Sequence, residues 1–313
     1  MKIIHAVAAL GALTLRATAC DLCSCELPLL QLQNRPGWHV SVREQYTSFE
    51  TLRQDGARIN DPAGQFLHSS NTQLILGYDF TKSFGVQLNT PFITRSFRRA
   101  ESGRIETGRV SGLGDLSLLA HWTPLAVERG DFRFTARGVA GLKLPTGDSS
   151  RLAEEGSESE GEGTPSGIHG HDLALGTGSV DALLGADAHL EWRRLFLQAG
   201  LQYTVRGQGS HDFDTANDLT WSAALGATVV KSDALTLTVA ARVSGDTKDQ
   251  DYFRGQRLDD TSSANVYVGP RVVAIFGEKL SADLGFDFPI RQENSGVGST
   301  PDWRMQAGVS WQF

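Results

Sequence analysis

The sequence lacks any long apolar run that could cross a membrane as a helix. Hydrophobic residues make up 40% of its 313 residues, yet beyond the N-terminus none of their runs reaches the roughly 18 residues that a membrane helix needs. Basic residues are also in deficit, since 29 lysines and arginines stand against 36 aspartates and glutamates, for a formal net charge of −7. A phosphate-binding protein needs a basic face, so this balance argues against nucleic acid as a partner.

The N-terminus has the composition of an export signal. Lys2 is followed by an apolar stretch, and Ala17, Thr18 and Ala19 form a small-residue cleavage site. We therefore expect residues 1–19 to be a signal peptide that is removed on export. An exported chain matures in an oxidising compartment, which bears on the state of its cysteines.

Cysteine is scarce, and its three residues, Cys20, Cys23 and Cys25, all stand just after the expected cleavage site. Residues 20–36 would then form a periplasmic tail ahead of the folded part. Three interpretations of this tail remain open: a local disulfide with one spare thiol, lipidation of Cys20, and binding of a soft metal ion such as copper(I) or zinc. Apart from such an ion, we expect no cofactor.

Helical spacing is absent as well, and apolar residues instead recur at every second position. The segments 195–205, 235–243 and 280–290 show this alternation most clearly. Because side chains alternate across a strand, such segments place one face in lipid and the other in water. The pattern predicts an all-β fold over residues 37–313, a transmembrane antiparallel up-and-down β-barrel of about twelve strands. We place the strands at 37–50, 66–81, 84–97, 109–123, 131–145, 173–192, 194–207, 217–230, 234–246, 262–276, 279–291 and 301–313.

The connections between the predicted strands alternate between two lengths. Short ones lie near residues 81–83, 124–130, 193, 231–233 and 277–278. Long polar ones lie near residues 51–65, 98–108, 146–172, 208–216, 247–261 and 292–300. Short turns on one side and long loops on the other are typical of outer-membrane barrels, in which the short turns face the periplasm. An even number of strands leaves both termini on that side.

Aromatic residues gather near the strand ends that carry the short turns. Amphipathic rings are favoured at the boundary between membrane and water. The chain ends on Phe313, which shares a face of the last strand with Trp303 and Trp311. An aromatic C-terminal residue on such a strand resembles the signal that the barrel assembly machinery recognises. We therefore expect insertion by that machinery into the lipid bilayer of the outer membrane of a Gram-negative-type bacterium.

Three short motifs carry a resemblance to a known family. They are Gly-Leu-Gly-Asp-Leu-Ser at 112–117, Gly-Leu-Lys-Leu-Pro-Thr-Gly at 141–147 and Leu-Gly-Thr-Gly-Ser-Val-Asp at 175–181. In order and spacing they resemble the family of outer-membrane transporters named for a meta-pathway of phenol degradation, from about residue 38 to 313. The resemblance implies an outer-membrane barrel that passes small hydrophobic or aromatic compounds.

The same motifs also have a structural interpretation. Their glycines are expected where the barrel wall bends or another backbone comes close, and strand alternation would point Asp115, Lys143 and Asp181 into the lumen. In a barrel of this size many inward charges should pair across the interior, which leaves either a narrow channel or a plugged lumen. Further candidates for a lumen or transport role are Arg133, Arg137, Asp187, Arg271 and Asp283.

The long connection at 146–172 is rich in glutamate and ends on a His-Gly-His-Asp sequence. Its histidines, His169 and His171, could hold a divalent cation. The alternative is a solvated surface loop, because runs of like charge repel one another and resist ordering.

An enzyme is the class with the least support. His68 and Ser70 have the spacing of base and nucleophile in an outer-membrane phospholipase and would both face outward, but no third catalytic partner is clearly placed. We therefore expect no catalysis. The predicted function is a channel or facilitated transporter for a small, hydrophobic or aromatic solute. The alternative is a non-transporting barrel whose cysteine tail binds metal or a periplasmic redox partner.

Overall fold

The computed structural model describes residues 35–101, 103–156 and 165–313. Its main element is an antiparallel sheet that closes on itself, because the first strand pairs with both the second and the last. The predicted twelve-strand barrel is therefore confirmed. The strands are β1 (Gly37–Gln54), β2 (Phe66–Thr81), β3 (Phe84–Glu101), β4 (Arg104–Leu113 and Leu116–Arg129), β5 (Phe132–Leu144), β6 (Asp181–Trp192), β7 (Leu195–Val205), β8 (Asp218–Lys231), β9 (Leu235–Lys248), β10 (Ser263–Phe276), β11 (Leu280–Asn294) and β12 (Val297–Gln312).

Two of the predicted strands differ from the structure. The fourth is not continuous, since its two segments pair one after the other with β3 and are separated by Gly114 and Asp115. The sixth was placed from residue 173, but β6 begins only at Asp181. The residues before it leave the barrel wall, and Thr177 and Ser179 bond through their hydroxyls to other buried polar groups. Such side-chain bonds compete with a strand ladder.

The expected signal peptide, residues 1–19, lies outside the described residues. So do the three cysteines of the expected tail, Cys20, Cys23 and Cys25. The disulfide, lipidation and metal-binding interpretations of that tail therefore stay predictions.

Side-chain alternation separates a lipid face from a lumen face along the wall. On β7, Leu195, Leu197 and Leu201 are about half exposed, whereas Gln198 and Gln202 are buried. Half-exposed leucines in a closed sheet form an apolar belt for the bilayer, and the buried glutamines belong to a polar interior. The period-two pattern of the sequence therefore reports which face of each strand meets lipid.

The two ends of the barrel carry different connections. At one end the strands are joined by turns of a few residues, such as the one between β6 and β7, where Arg193 has a φ of 58°. A positive φ is what the tight turns of twisted β-hairpins require. The long connections all lie at the other end. Two of the predicted ones, near 98–108 and 292–300, are instead mostly strand, because β3 extends to Glu101, β4 begins at Arg104, β11 extends to Asn294 and β12 begins at Val297. By the rule for outer-membrane barrels, the short turns mark the periplasmic end and the long loops the extracellular end.

Aromatic rings surround the periplasmic end. Trp38, Phe80, Trp122 and Trp192 are each more than half exposed there, as expected for rings at a membrane boundary. The C-terminal Phe313 donates its backbone N–H to the carbonyl oxygen of Trp38 at 2.9 Å and has a mostly exposed side chain. The end of the chain thus lies beside β1, on the lipid face.

The extracellular connections contain the remaining elements. They are the two-residue strands Ala57–Arg58, Phe213–Asp214, Tyr252–Phe253 and Gln256–Arg257, a 3-10 helix at Ser150–Gly156 and a single-turn α-helix at Gly170–Leu173. The last three of these short strands form a small sheet of their own. No helix within the described ranges is long and apolar enough to span a membrane.

The connection between β5 and β6 is described at residues 145–156 and 165–180, and these two parts, which we call the lumen loop, fold into the extracellular mouth of the barrel. Ile168 and Leu173 of this loop are fully buried against Phe49, Leu67 and Phe97 of the first three strands. Complete burial of one such side chain contributes roughly 1.5–3 kcal/mol. The predicted solvated surface loop, residues 146–172, is therefore wrong for Ile168.

The lumen loop also bonds to the far side of the wall. The backbone N–H of Ser299 on β12 donates to the carbonyl oxygen of Gly167 at 2.7 Å. Gln65, just before β2, donates to the carbonyl oxygen of Pro165 at 3.0 Å and accepts from the N–H of Gly167 at 3.0 Å. Because β12 stands roughly opposite β5 and β6 in a ring of twelve strands, the loop crosses the mouth.

Candidate functional site

The three motifs that resemble a known family meet at the break in β4. One glycine from each, Gly114, Gly147 and Gly176, approaches the others backbone to backbone. A β carbon on Gly147 would lie 2.6 Å from the carbonyl oxygen of Leu175, and one on Gly176 would lie 2.6 Å from Oδ1 of Asp115. No side chain fits such gaps in a close-packed interior. The glycines thus allow the lumen loop to turn inward at this point.

Asp115 is at the centre of that meeting point. Its carboxylate accepts hydrogen bonds from the backbone N–H groups of Gly147 at 2.9 Å and Thr177 at 3.0 Å. Nζ of Lys143 lies 2.7 Å from Oδ2 of Asp115 and 2.7 Å from Oδ2 of Asp181. One lysine therefore holds two carboxylates that come from different motifs.

Arg206, just beyond β7, provides the second cation. Its Nη1 donates to Asp181 at 2.8 Å and its Nε to Asp218 of β8 at 2.9 Å. All of these side chains are buried, so each charge needs a partner to offset its lost hydration. We call the group of five the junction network: Asp115, Lys143, Asp181, Arg206 and Asp218. Its two cations and three carboxylates leave a formal charge of −1.

A second set of charges lies on β1 and β9–β12, across the lumen. Asp283 accepts from Arg43 at 3.1 Å and from Arg271 at 2.5 Å. Asp287 accepts from Arg242 at 2.7 Å in the same region. These arginines and aspartates are buried or nearly so, which means that their side chains fill space inside the barrel.

The remaining predicted lumen residues lie in the periplasmic half. Nε of Arg137 is 2.7 Å from Oδ2 of Asp187, and both side chains are at most 15% exposed. Arg133 is different, because it is 44% exposed and pairs with Glu128 at 2.5 Å and Glu191 at 3.5 Å. Arg133 therefore belongs to an open periplasmic mouth, whereas the other seven predicted residues lie where the interior is filled.

A buried ion pair holds the lumen loop together. Oε1 of Glu155 accepts from Nδ1 of His171 at 2.8 Å and from its backbone N–H at 2.6 Å. Burial lowers the pKa of His171, but the charges of Asp172 and Glu155 outweigh that effect and raise the pKa to about 10. Burial likewise raises the pKa of Glu155, but the charge of His171 outweighs it and lowers the pKa to about 2. Both groups are thus charged at neutral pH, and they join the 3-10 helix to the short α-helix.

The two histidines of the predicted cation site stack instead of converging. The rings of His169 and His171 are 5.6 Å apart with an interplanar angle of 3°, and His171 stacks in turn on Phe213 at 5.6 Å. Among the described residues, no three His, Cys, Asp or Glu side chains are arranged to hold a metal ion. The geometry supports a packing role for both rings.

His68 and Ser70 lie on the lipid face of β2, but they do not bond to each other. Nε2 of His68 is 2.9 Å from Glu50, and Oγ of Ser70 donates to Glu44 at 2.6 Å. A serine nucleophile needs a base within hydrogen-bond reach of its own hydroxyl. This arrangement lacks that contact.

Two residues that the structure places in key positions are absent from the predicted site. Arg206 could have been found, because strand alternation after the exposed Val205 points it inward, where Asp115 and Asp181 need a second cation. Glu155 could not, because it stands in a run of glutamates without periodicity and its partner His171 lies across a long stretch of loop.

A closed barrel with an apolar outer belt, aromatic rings at the periplasmic end and a polar interior defines the class of protein: it is an integral β-barrel of the outer membrane. The particular family follows from the sequence, since the family described as "Putative MetA-pathway of phenol degradation" matches residues 45–304. The chain belongs to that family. Its match covers all three motifs that form the junction.

The fold is similar to that of solved outer-membrane proteins. The COG4313 outer membrane channel from Pseudomonas putida F1 superposes with a TM-score of 0.59 at 16% identity, over 89% of this chain and 96% of that one. The β domain of the Bordetella autotransporter BrkA gives a TM-score of 0.48 at 12% identity, over 89% of this chain and 100% of that one. Among curated proteins, none matches the sequence.

Proposed function

We propose that the protein is a channel for a small hydrophobic or aromatic solute, and that the lumen loop is its gate. The observation that carries the proposal is the burial of Ile168 and Leu173 inside the barrel mouth. A solvated surface loop would leave these side chains exposed, whereas here they are buried at the entrance of the barrel.

The apolar surface under the loop supports this class of solute. Withdrawal of the loop would free Phe49, Leu67 and Phe97, which point inward from β1, β2 and β3. These side chains would then line the extracellular mouth and offer a small aromatic compound an apolar contact surface above the polar lumen. Membership of the family is consistent with such a solute.

The interior below the loop sets the manner of passage. Its ion pairs and buried amides occupy part of the lumen, and a barrel of this size is expected to leave only a narrow path beside them. A solute would therefore move by passive diffusion along a narrow polar path, with side chains giving way as it passes. The proposal includes no catalytic step, and the separation of His68 and Ser70 into two different carboxylate pairs supports that part of it.

Electrical recording in planar bilayers tests the gate. Ile168→Asp places a charge in the apolar cluster, so the loop should leave the mouth and the fraction of time spent conducting should rise. Ile105→Asp is the matched control, because Ile105 is about half exposed on the outside of β4. Equal conductance in the two variants and the unchanged protein would contradict the gate.

Transport in liposomes tests the solute. Phenol and sodium benzoate should enter protein-containing vesicles faster than lipid-only vesicles, and the Ile168→Asp variant should speed their entry further. If neither compound enters faster through any variant, the proposed solute class is wrong.

A further inference from the structure

A small sheet above the barrel has two chemically different faces. Its three two-residue strands are antiparallel, so Asp214, Tyr252 and Arg257 stand side by side across it. Because neighbouring positions of a strand point to opposite faces, these three residues share one face. Phe213 and Phe253 lie on the other face and pack against Leu152 of the 3-10 helix and Ala174, both in the lumen loop.

The polar face borders a cleft of about 600 Å³, within the usual size range of ligand sites. Amides and a further carboxylate belong to the lining of the same cleft. They belong to Gln208, Asn217, Asp249 and Gln250. Tyr252 is 43% exposed, so its ring is accessible from the cleft.

We propose that this cleft is a binding site for a carbohydrate, a neutral ligand that would lie on the ring of Tyr252 and bond to Asp214 and Arg257 on either side. Each sugar hydroxyl can donate to a carboxylate and accept from a guanidinium or an amide. A lining that contains both kinds of group therefore satisfies the donor and the acceptor capacity of the hydroxyl. The C–H face of a sugar ring covers the aromatic ring and removes apolar surface from water.

Other ligand classes fit the lining less well. An anion would meet the carboxylates of Asp214 and Asp249, while the charge of Arg206 at the cleft wall is already matched by Asp181 and Asp218. A hydrophobic compound would find little apolar side-chain surface apart from the ring of Tyr252. A neutral polyhydroxylated ligand avoids both penalties.

The cleft adjoins the junction network through Arg206, which belongs to both. A carbohydrate captured there would lie at the extracellular entrance, above the lumen loop. Binding at the cleft does not depend on whether the barrel conducts. Loss of carbohydrate binding would therefore leave the proposed channel untouched, and absence of conductance would leave the proposed carbohydrate site untouched.

Saturation-transfer difference NMR on the full-length, detergent-solubilised barrel tests the proposal. The probes are maltotriose and N,N′,N″-triacetylchitotriose, with sodium benzoate as the anionic comparison. We expect saturable transfer to the ring protons of at least one trisaccharide and none that saturates to benzoate. Tyr252→Ala should lower the trisaccharide signal at least about five-fold, which is roughly what the loss of one aromatic contact produces. Asp214→Asn should weaken it as well.

A variant on the same hairpin provides the control. Arg254→Ala removes an exposed side chain that is not part of the cleft lining, so binding should be unchanged. Heat-modifiable mobility on SDS gels establishes that each variant is a folded barrel. The proposal is overturned if neither trisaccharide saturates, if Tyr252→Ala binds as well as the unchanged protein, or if benzoate is the ligand that the cleft residues bind.

Discussion

Substitution Glu155→Gln removes one charge from the buried ion pair of the lumen loop and leaves its shape nearly unchanged. His171 then loses one of the two carboxylates that hold its proton and keeps Asp172, while the amide oxygen can still accept from its backbone N–H. The closed loop should lose stability relative to the withdrawn one, because removing one partner of a buried pair leaves the other less well compensated.

The size of the effect follows from the pKa of His171. With an ordinary pKa of 6.5 in the withdrawn loop and a pKa of about 10 in the closed loop, Asp172 and Glu155 together favour closure at pH 7 by about 4 kcal/mol. Because Asp172 remains beside His171 in the variant, we expect a loss of about half of this, about 2 kcal/mol. That corresponds to an increase of about 30-fold in the ratio of open to closed loops.

Single-channel recording measures this ratio directly as the open probability. The control is Glu293→Gln, an exposed carboxylate that also pairs with an arginine, Arg291, but outside the lumen. It should leave the open probability unchanged. If Glu155→Gln behaves like the control, the ion pair does not hold the loop closed and the reasoning from its burial and pKa is refuted.

Three other predictions concern the junction and the effect of pH. Lys143→Met leaves two carboxylates without their lysine and should lower the stability of the folded barrel by about 3–5 kcal/mol in urea titrations. Lys231→Met, exposed at the end of β8, should change it by less than about 0.5 kcal/mol. Gly147→Ala should prevent folding, as judged by heat-modifiable mobility, whereas Gly138→Ala on the preceding strand β5, where a β carbon has no neighbour closer than 4.0 Å, should fold. The raised pKa of His171 contributes stability that is complete below pH 6.5 and lost as pH rises through about 10. The lowered pKa of Glu155 contributes stability that is complete above pH 4.5 and lost as pH falls through about 2. Open probability should therefore be lowest between pH 4.5 and 6.5 and rise toward both extremes.

The barrel wall could be predicted from the sequence because its pattern is local. In a strand between lipid and a polar lumen, each side chain's environment depends on whether its position is odd or even. The alternation along Leu195–Val205 is therefore enough to assign both faces of β7. The lengths of the connections also indicate the direction in which each strand crosses the membrane. With an even number of strands the first and the last are antiparallel, so β1 and β12 can pair and close the barrel.

The lumen loop could not be predicted in the same way. Ile168 is an isolated apolar residue after a stretch rich in glycine, serine and glutamate, and the partners of Ile168 and Leu173, which are Phe49, Leu67 and Phe97, are far away in the sequence. No local period reports contacts of this kind. The apolar Leu173 and Leu175 instead imitate the start of a strand, which is why the sixth strand was placed too early.

The junction network is an intermediate case. Alternation points Asp115, Lys143 and Asp181 inward, and the structure buries all three. Which charges meet depends on the stagger of neighbouring strands and on the break in β4, neither of which the alternation specifies. The link from Asp181 to Arg206 and Asp218 is set by that stagger.

A disulfide between the lumen loop and the wall is the most direct test of the gate. A β carbon on Gly167 would lie 3.0 Å from Oγ of Ser299, close to the separation between a β carbon and the distal sulfur of a disulfide. Gly167→Cys with Ser299→Cys, in a chain whose three native cysteines are serine, should therefore cross-link. The added β carbon meets only the flexible end of Leu52 on the other side.

Single-channel recording on this double variant gives the decisive comparison. We predict that the oxidised protein does not conduct and that reduction restores openings like those of the Ser299→Cys single variant. Equal conductance before and after reduction, with the cross-link verified by mass spectrometry, would contradict the claim that the lumen loop gates the barrel.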